Sequence, residues 1–366
     1  MEKSNNQATF LQRLNQLRNQ LETAEIDAFF LHTEPSIRYY TGFTGDSSYL
    51  LVESKQTTFF TDGRYVTQAA SELPSTIEIL LITSFTDLAR QLGRHSITKL
   101  GIEEQSFSVA KSSQLQREIT GLEIVFCQQQ ITSPRQFKNP NELETIRRAI
   151  KIAEDAYQAT IPLLRPGITE NEIALELEYQ MKRRGAEQAA FSLIVASGYR
   201  SSLPHGLATN KPIAPDDPVT IDFGARFQGY HSDQTCTLFL GEPSKKQQEV
   251  YQTVYQAQQA GIKAVTNGMA AKELDQIVRR MINQAGYGDF FSHGTGHGVG
   301  LEIHETPSIS TFSNQQLETG MVFTIEPGCY FPHQWGIRLE DMVHLAQEAT
   351  CKLTTLDKRL ENAIIS

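Results

Sequence analysis

The chain has 366 residues, enough for two or three domains, and its 39% hydrophobic and 20% charged residues are typical of a globular protein. A formal net charge of −9, without runs of lysine or arginine, argues against nucleic acid or an anionic membrane as a partner. The N-terminus lacks the apolar core of a signal peptide, no segment reaches the roughly 20 apolar residues of a membrane span, and the four cysteines form no CxxC pair. We therefore expect a cytoplasmic protein with reduced thiols.

The N-terminal third alternates helical and extended patterns. A helix is predicted over about residues 8–24, and the apolar segments DAFFLH, SYLLVE, TTFFTD, IEILLI, KLGIEE and LEIVFC follow with helical spacing between the later ones. This alternation predicts a small α/β domain. After a loop with two prolines, Asn141 and Glu144 have the spacing of a capping box at the start of a new helix. We predict domains at residues 1–135 and 136–366.

The second domain contains an internal repeat. PGITENEIALELEYQMKRRGA, which begins at Pro166, aligns without gaps with NGMAAKELDQIVRRMINQAGY, which begins at Asn267. Each copy follows another helical pattern and ends near a glycine suited to a helix C-terminus. Each half is therefore predicted to contain a pair of helices.

The repeat extends to acidic residues on predicted strands. VTIDFG matches FTIEPG, which aligns Asp222 with Glu326, and further along Asp233 corresponds to Glu340 in GIRLED. Each half thus carries two carboxylates on a hairpin after its helix pair. The pattern predicts an α+β domain with pseudo-twofold symmetry and four acidic groups near its axis.

The first hairpin, IDFGARFQGYHSDQTCT, poses an electrostatic problem. With a turn centred on Phe227 and Gln228, Asp222 and Asp233 are expected directly opposite each other on one face, where like charges destabilise a sheet. Four converging carboxylates require protonation or cations. Oxygen ligands favour Mn²⁺, with Co²⁺, Fe²⁺ and Zn²⁺ also compatible, and a histidine from SHGTGHGVGLEIHETP could complete the site: His293, His297 or His304.

Six short motifs follow one another through this domain: LPHG, DFG, SDQT, GHGVGLEIHE, TIEPG and GIRLED. In this order they resemble the pita-bread metallopeptidases, which include methionine aminopeptidases, Xaa-Pro aminopeptidases and prolidases. RYYTGFTG and TDGRY resemble the additional domain of the Xaa-Pro branch. The resemblance covers nearly the whole chain and implies a pita-bread domain after an α/β domain of the creatinase N-terminal type.

The same resemblance implies a site for two divalent metal ions, with Mn²⁺ expected. Asp222 would bind one ion, and Asp233 and Glu340 would bridge both. His297 and Glu326 would complete the second position. Glu326 is also the expected base for the attacking water, because a proton acceptor must lie within hydrogen-bond reach of it.

Five further residues are candidate substrate contacts, four of them through the family resemblance. His205 and His304 are expected beside the scissile bond, with His304 stabilising the oxyanion. His293 corresponds to a substrate-pocket histidine, and Tyr330 to an active-site tyrosine that could equally be a core residue. Arg338 is expected to orient the neighbouring glutamate ligand, to bind substrate or to form an ordinary salt bridge.

Several functions remain open at this stage. The leading interpretation is an Xaa-Pro aminopeptidase, which removes an N-terminal residue that precedes proline; a prolidase, restricted to Xaa-Pro dipeptides, shares every metal ligand. A creatinase-like hydrolase lacks this ligand set, the N-terminal domain disfavours a methionine aminopeptidase, and a non-catalytic binding module is expected to have lost ligands. The expected partners are a peptide or dipeptide with proline second, and a second copy of the chain in a homodimer.

One position departs from the family pattern. SDQTCT carries Cys236 where the Xaa-Pro branch usually has arginine. Strand alternation places Cys236 on the face opposite Asp233, so it is predicted to be a small buried residue rather than a ligand. The departure affects the expected substrate preference more than the expected metal site.

Overall fold

The computed structural model describes residues 2–365, with side chains from residue 7 onward. It divides into two compact units, Met1–Arg135 and Gln136–Ser366. Among the described residues, a helix with both the length and the apolarity needed to cross a bilayer is absent.

The first unit is an α/β domain, as its alternating pattern predicts. Its helices are α1 (Glu2–Arg18), α2 (Glu34–Thr41), α3 (Val66–Glu72), α4 (Phe85–Leu92), α5 (Val109–Glu118) and α6 (Gln128–Thr132). Its strands are β1 (Ala28–Leu31), β2 (Ser48–Glu53), β3 (Thr57–Thr61), β4 (Glu78–Leu81), β5 (Lys99–Ile102) and β6 (Glu123–Phe126). They form one mixed sheet in the order β4-β3-β2-β1-β5-β6. Helix α1 ends earlier than predicted, because the chain continues from Arg18 in turns.

The second unit contains the two predicted helix pairs. Its helices are α7 (Pro140–Thr160), α8 (Glu170–Arg183), α9 (Lys245–Ala264), α10 (Ala271–Gln284) and α11 (Leu360–Ala363). The capping box lies two residues before the predicted one: the Asn139 side chain caps α7, and the Glu142 carboxylate accepts from the Asn139 backbone N–H in return. Pro140 explains the shift, since it occupies the first helical position, where its missing N–H costs nothing.

The strands of the second unit form sheets that repeat the same hairpin geometry. They are β7 (Gln188–Ala189), β8 (Ile194–Ser197), β9 (Pro218–Phe223), β10 (Ala225–Phe227), β11 (Tyr230–His231), β12 (Gln234–Leu240), β13 (Gly296–Gly298), β14 (Glu305–Ile309), β15 (Val322–Ile325), β16 (Gly328–Phe331), β17 (Trp335–Arg338), β18 (Asp341–Leu345), β19 (Thr350–Lys352) and β20 (Ile364–Ile365). The two larger sheets have the orders β20-β12-β9-β8 and β14-β13-β15-β18-β19. The antiparallel pair β9–β12 in one half corresponds to β15–β18 in the other.

The first hairpin turns one residue later than predicted. Phe227 pairs with Tyr230, so Gln228 and Gly229 form the turn, with φ of 46° and 77°. Such a pair of positive φ angles is typical of the two-residue turns that join twisted strands. The register consequently changes by two residues: Asp222 lies opposite Thr235, not opposite Asp233. The aspartates remain on the same face but are diagonal neighbours.

The core of the second unit determines which way the acidic residues point. Ile221 and Phe223 are buried in the cluster that includes residues of the helix pairs. Since successive strand residues point to opposite faces, Asp222 points away from the helices. Ile325 on β15 packs in the same cluster as Val278 on α10. Glu326 follows Ile325 directly, so its side chain leaves the backbone on the face away from the helices. The helices therefore form the outer layer, and the acidic residues converge on the other side of the sheets.

Candidate metal centre

A cavity of about 570 Å³ on this inner face contains the acidic residues. Its walls combine carboxylates and histidines with an apolar side, several of whose residues lie outside the motifs. The described lining residues are Phe191, Ser192, Ile194, Pro204, His205, Leu207, Asp222, Asp233, His293, Gly294, Gly296, His297, Ile303, His304, Ser308, Ser310, Glu326, Arg338 and Glu340. All five predicted metal ligands thus line one cavity.

His297 is the imidazole that lies among the carboxylates. Its Nε2 is 3.5 Å from Asp233 Oδ2 and 3.4 Å from Glu326 Oε1. Potential ligand atoms of Asp233, His297 and Glu340 all lie within 4.8 Å of one another. The hydrogen bond of Nδ1 with the Gly298 carbonyl, 3.1 Å long, leaves Nε2 as the nitrogen that faces the carboxylates.

Glu340 is held in place by the neighbouring hairpin. It lies between β17 and β18, where its backbone N–H donates to the Thr235 carbonyl at 3.1 Å. Its carboxylate accepts a hydrogen bond of 2.7 Å from Thr235 Oγ1. Behind it, buried Lys358 donates to the Glu340 carbonyl and to Asp341 Oδ1. Glu340 therefore enters the cavity from a fixed backbone.

The carboxyl groups strongly perturb one another. Burial, then repulsion from Glu340 and Asp222, raises the pKa of Asp233 well above its usual range. Burial and the charge of Glu326 likewise raise the pKa of Glu340. Burial raises the pKa of Glu326 to about 7. Groups that are buried together in this way are stabilised by a cation, which removes both the desolvation cost and the repulsion.

Of the three predicted roles of Arg338, the structure shows the salt bridge, which it forms with Asp222, whereas orientation of Glu340 and substrate binding stay predictions. Its Nη2 donates to Asp222 Oδ2 at 2.7 Å, and Nη1 donates to the Pro204 carbonyl at 2.9 Å. Further bonds reach Tyr330 Oη at 3.0 Å and Thr235 Oγ1 at 3.2 Å. Arg338 and Glu340 both line the cavity. The guanidinium of Arg338, however, extends to β9 and fixes the carboxylate of Asp222 there.

Tyr330 is buried beside the cavity and is not among the described lining residues, which favours the core alternative of the prediction over a direct substrate contact. Burial raises the pKa of Tyr330 to about 12, so its hydroxyl stays protonated. It accepts from Arg338 and donates to His293 Nε2 at 2.9 Å. The other ring nitrogen of His293 donates to the Gly294 carbonyl at 2.7 Å. Both nitrogens of His293 are therefore occupied, and its ring contributes a wall of the cavity.

His205 and His304 lie exposed at the cavity, as the motifs predict for residues that meet a substrate. The ring of His304 stands edge-on to that of His297, with centroids 4.4 Å apart. His205 follows the short helical turn Gly198–Ser202. Glu170 anchors that loop, since its buried carboxylate accepts bonds from residues on both sides of it: Ser197, Arg200 and Thr209.

The sequence alone does not identify the apolar wall. Phe191, Ile194, Leu207 and Ile303 come from separate loops and strands; Leu207 adjoins the motif LPHG and Ile303 lies within GHGVGLEIHE, but neither motif marks these residues as cavity walls. Cys236 behaves as predicted: it pairs with Ile221 and is buried on the other face of β12, away from the acidic residues.

The donor set fits divalent cations. Asp222 Oδ1 is buried and accepts no hydrogen bond from residues 2–365, although its other oxygen binds Arg338. An unpaired carboxylate oxygen beside three further acids and an imidazole is the arrangement expected of a metal site. The fold and site together define a hydrolase of the metallopeptidase class.

Comparison with known proteins identifies the family. Residues 144–347 match metallopeptidase family M24, and residues 13–136 match the creatinase/prolidase N-terminal domain. An Xaa-Pro dipeptidase of Pyrococcus furiosus is 37% identical over 351 residues, 95% of this chain and 99% of that protein. The chain belongs to metallopeptidase family M24, whose members use divalent metal ions. The predicted pita-bread and creatinase-type domains are thereby confirmed.

Two solved structures resemble the whole chain. An Xaa-Pro dipeptidase from Bacillus anthracis superposes with a TM-score of 0.93 at 37% identity and covers 97% of this chain and 100% of its own. An X-Pro aminopeptidase from Thermotoga maritima gives a TM-score of 0.88 at 35% identity, with 96% and 99% covered. Both kinds of activity therefore occur on this architecture.

Proposed function

We propose that the protein is an Xaa-Pro dipeptidase, a prolidase that hydrolyses the bond between the first residue and the proline of a dipeptide. The observation that carries the proposal is the convergence of Asp222, Asp233, His297, Glu326 and Glu340 on one cavity. That ligand set supports metal-assisted peptide hydrolysis, and the dipeptidases of Pyrococcus furiosus and Bacillus anthracis support the dipeptide substrate.

The five residues are assigned as ligands of two Mn²⁺ ions. Asp222 would hold one ion, His297 and Glu326 would hold the other, and Asp233 and Glu340 would be shared by both. Two divalent cations there would polarise the scissile carbonyl and acidify the attacking water. We assign proton acceptance to Glu326, because its carboxylate lies in the cavity beside the other proposed ligands, within reach of a water that the ions would hold.

The exposed histidines complete the assignment. His304 lies beside His297 and is placed to donate a hydrogen bond to the oxyanion. His205 lies within the loop that Glu170 anchors, and it contacts the substrate near the scissile bond. His293 supplies a wall for the proline ring, because its nitrogens are bonded to Tyr330 and Gly294.

An Xaa-Pro aminopeptidase, the leading interpretation of the sequence, becomes the second candidate. Among the described lining residues, Arg338 carries the permanent positive charge, and its hydrogen bonds are directed into the protein. A terminal carboxylate after proline therefore meets imidazoles and serine hydroxyls rather than a free guanidinium. This feature favours longer peptides, as does the similarity to the Thermotoga maritima aminopeptidase.

The distinguishing experiment compares Ala-Pro with Ala-Pro-Ala in the presence of Mn²⁺. Efficient release of alanine from the dipeptide, with at least tenfold lower kcat/KM for the tripeptide, supports the dipeptidase. Equal or faster cleavage of the tripeptide supports the aminopeptidase instead. Chelator-treated protein is the control, and Ala-Ala tests the requirement for proline; activity that survives metal removal would contradict both candidates.

We further propose that the protein forms a homodimer, as the family resemblance suggests. Sedimentation velocity at micromolar protein concentration tests this assembly directly. A single species of about twice the 41.1 kDa chain mass is expected, whereas a sample that contains monomers alone contradicts it.

A further inference from the structure

An ion pair between a buried aspartate and a half-buried arginine on α10 lies behind the proposed metal centre. Asp275 is 0% exposed, and Arg279, one turn later, donates to both of its carboxylate oxygens at 3.0 Å. A buried carboxylate is costly unless it is paired and fully hydrogen-bonded. Asp275 is such a carboxylate, and it lies on the surface of α10 that faces the cavity-forming segment 291–297.

Arg279 holds the first part of that segment. Its Nη1 donates to the Phe291 carbonyl at 3.0 Å, and its Nη2 donates to the His293 carbonyl at 2.7 Å. The guanidinium also lies 4.3 Å from the centroid of the Phe291 ring. These contacts fix the backbone of a segment that carries four of the described cavity residues, among them His293 and His297.

Asp275 holds the middle of the segment and reaches the metal centre through it. Thr295 Oγ1 donates to Asp275 Oδ1 at 2.8 Å. The Thr295 carbonyl accepts from the backbone N–H of Glu326 at 2.7 Å. A continuous chain of hydrogen bonds thus runs from Arg279 through Asp275 and Thr295 to the backbone of Glu326.

We propose that Asp275 and Arg279 are positioning residues of the metal centre, which fix Thr295 and thereby hold His297 and Glu326 in register with each other. Neither residue touches the cavity. Their effect is exerted through the backbone, because His297 lies two residues after Thr295 and Glu326 is bonded to it. This inference rests on the proposed metal centre, but not on which peptide is the substrate.

The test measures Mn²⁺ affinity by calorimetric titration of the full-length protein, alongside kcat and KM for Ala-Pro. Asp275→Asn keeps the shape of the side chain but removes its charge. Thr295→Val removes only the hydroxyl, and Thr295→Ser retains it. Loss of an outer partner of a metal ligand typically weakens affinity or activity about 10–100-fold, and we expect that range for Asp275→Asn and Thr295→Val, with Thr295→Ser close to the parent.

Two control variants separate positioning from general destabilisation. Glu103→Gln alters an equally buried, multiply hydrogen-bonded carboxylate in the first unit, and Glu273→Gln alters an exposed one on α10 itself. Both should bind Mn²⁺ within about threefold of the parent. The melting temperature of each metal-free variant is recorded, because a purely structural role would lower that temperature and leave the Mn²⁺ affinity of the folded protein unchanged.

The outcomes are distinguishable. Parental Mn²⁺ affinity and kcat in both Asp275→Asn and Thr295→Val would overturn the inference, whatever their melting temperatures. If Asp275→Asn does not fold, the Mn²⁺ affinity and kcat of Thr295→Val, compared with those of Thr295→Ser, test the inference by the same criterion. A parent protein that binds no Mn²⁺ would overturn the proposed metal centre together with this inference, whereas a parent that binds Mn²⁺ without cleaving Ala-Pro would affect the substrate proposal alone.

Discussion

At the scale of single residues, the acidic cavity shows how one fold can keep four carboxylates close together. Arg338 neutralises Asp222 through a 2.7 Å bond, while Thr235 donates to Glu340. The Asp233 N–H donates to Met342 Sδ, but the carboxylate of Asp233 faces three other acids. Without a bound cation, the cavity therefore destabilises the fold at buried carboxyl groups that include Asp233 and Glu340.

We predict that Asp233→Asn changes stability in opposite directions with and without metal. In chelator at pH 8 the variant should melt about 2–4 °C above the parent, because removal of one buried charge relieves roughly 1 kcal/mol of repulsion. With Mn²⁺ the parent should gain stability and the variant should not, and hydrolysis of Ala-Pro should fall at least about a hundredfold. Differential scanning calorimetry measures the melting temperatures; an Mn²⁺-dependent gain equal to that of the parent contradicts the ligand assignment.

His293 leads to a prediction about pH. Burial lowers the pKa of His293 to about 4, whereas an unfolded histidine titrates near 6.5. Between these values the unfolded state binds more protons, so this residue's contribution to stability is fully present above pH 6.5 and falls as the pH is lowered toward 4. The metal-free parent should therefore lose about 2 kcal/mol at pH 5, relative to pH 7, through this group.

The measurement compares His293→Gln with the parent by urea unfolding at pH 5 and pH 7, both in chelator. Other groups titrate in the same range, so the informative quantity is the difference between the two proteins. The variant should show the smaller loss of stability on acidification. Identical pH dependence in both proteins would mean that the buried, neutral His293 does not contribute as described.

Individual ligands could be predicted from the sequence, but their partners could not. Asp222 and Glu340 occur in short motifs, and their residue types and repeated positions indicate metal chemistry. The bond between Arg338 and Asp222 joins residues 116 positions apart, and depends on how two hairpins face each other. The same holds for Tyr330, whose hydroxyl is directed by Arg338 and His293 rather than by any feature of its local sequence.

At the scale of elements, the repeat predicted both helix pairs and their hairpins because hydrophobic periodicity is a local property. The exact start of a helix and the exact turn of a hairpin were harder to predict, because neighbouring residues compete for the same position. Two asparagines stand near the start of α7, and the structure uses Asn139 because Pro140 follows it. In the first hairpin a turn shift of one residue moved the register by two, which left the faces unchanged but replaced a direct Asp222–Asp233 pair by a diagonal one.

The turn of that hairpin gives a third prediction. Gln228 and Gly229 both have positive φ, a conformation that costs an ordinary residue about 1–2 kcal/mol. Gln228→Asn should therefore stabilise the protein by a few tenths of a kcal/mol to about 1 kcal/mol, because asparagine tolerates this region. Gly229→Ala should destabilise it by about 1 kcal/mol. Urea unfolding measures both; changes of the same sign in the two variants would contradict the turn geometry.

At the scale of the whole molecule, the two units have separate hydrophobic clusters. One includes Phe30 and Leu100 in the first unit, and the largest one in the second unit includes Ile221 and Phe323. Every proposed metal ligand belongs to the second unit. Since a ligand stabilises the state that binds it, Mn²⁺ should act on the unfolding of this unit.

Trp335 provides a direct readout of that effect. It is the single tryptophan of the sequence, lies on β17 three residues before Arg338, and packs on Phe331 with ring centroids 4.4 Å apart. Its fluorescence should report the unfolding of the second unit, and saturating Mn²⁺ should move that transition to higher urea. At 100 times Kd the expected gain is about 2.7 kcal/mol per site.

The control for this measurement is Asp233→Asn, whose Trp335 transition should be insensitive to Mn²⁺. The far-UV circular dichroism signal of the parent adds a second test, because it contains contributions from both units. If the units unfold separately, Mn²⁺ should shift only the part of that signal that follows Trp335. A Trp335 transition that does not move with Mn²⁺, in a protein that titration shows to bind it, would place the ions outside the cavity of Asp233 and Glu340.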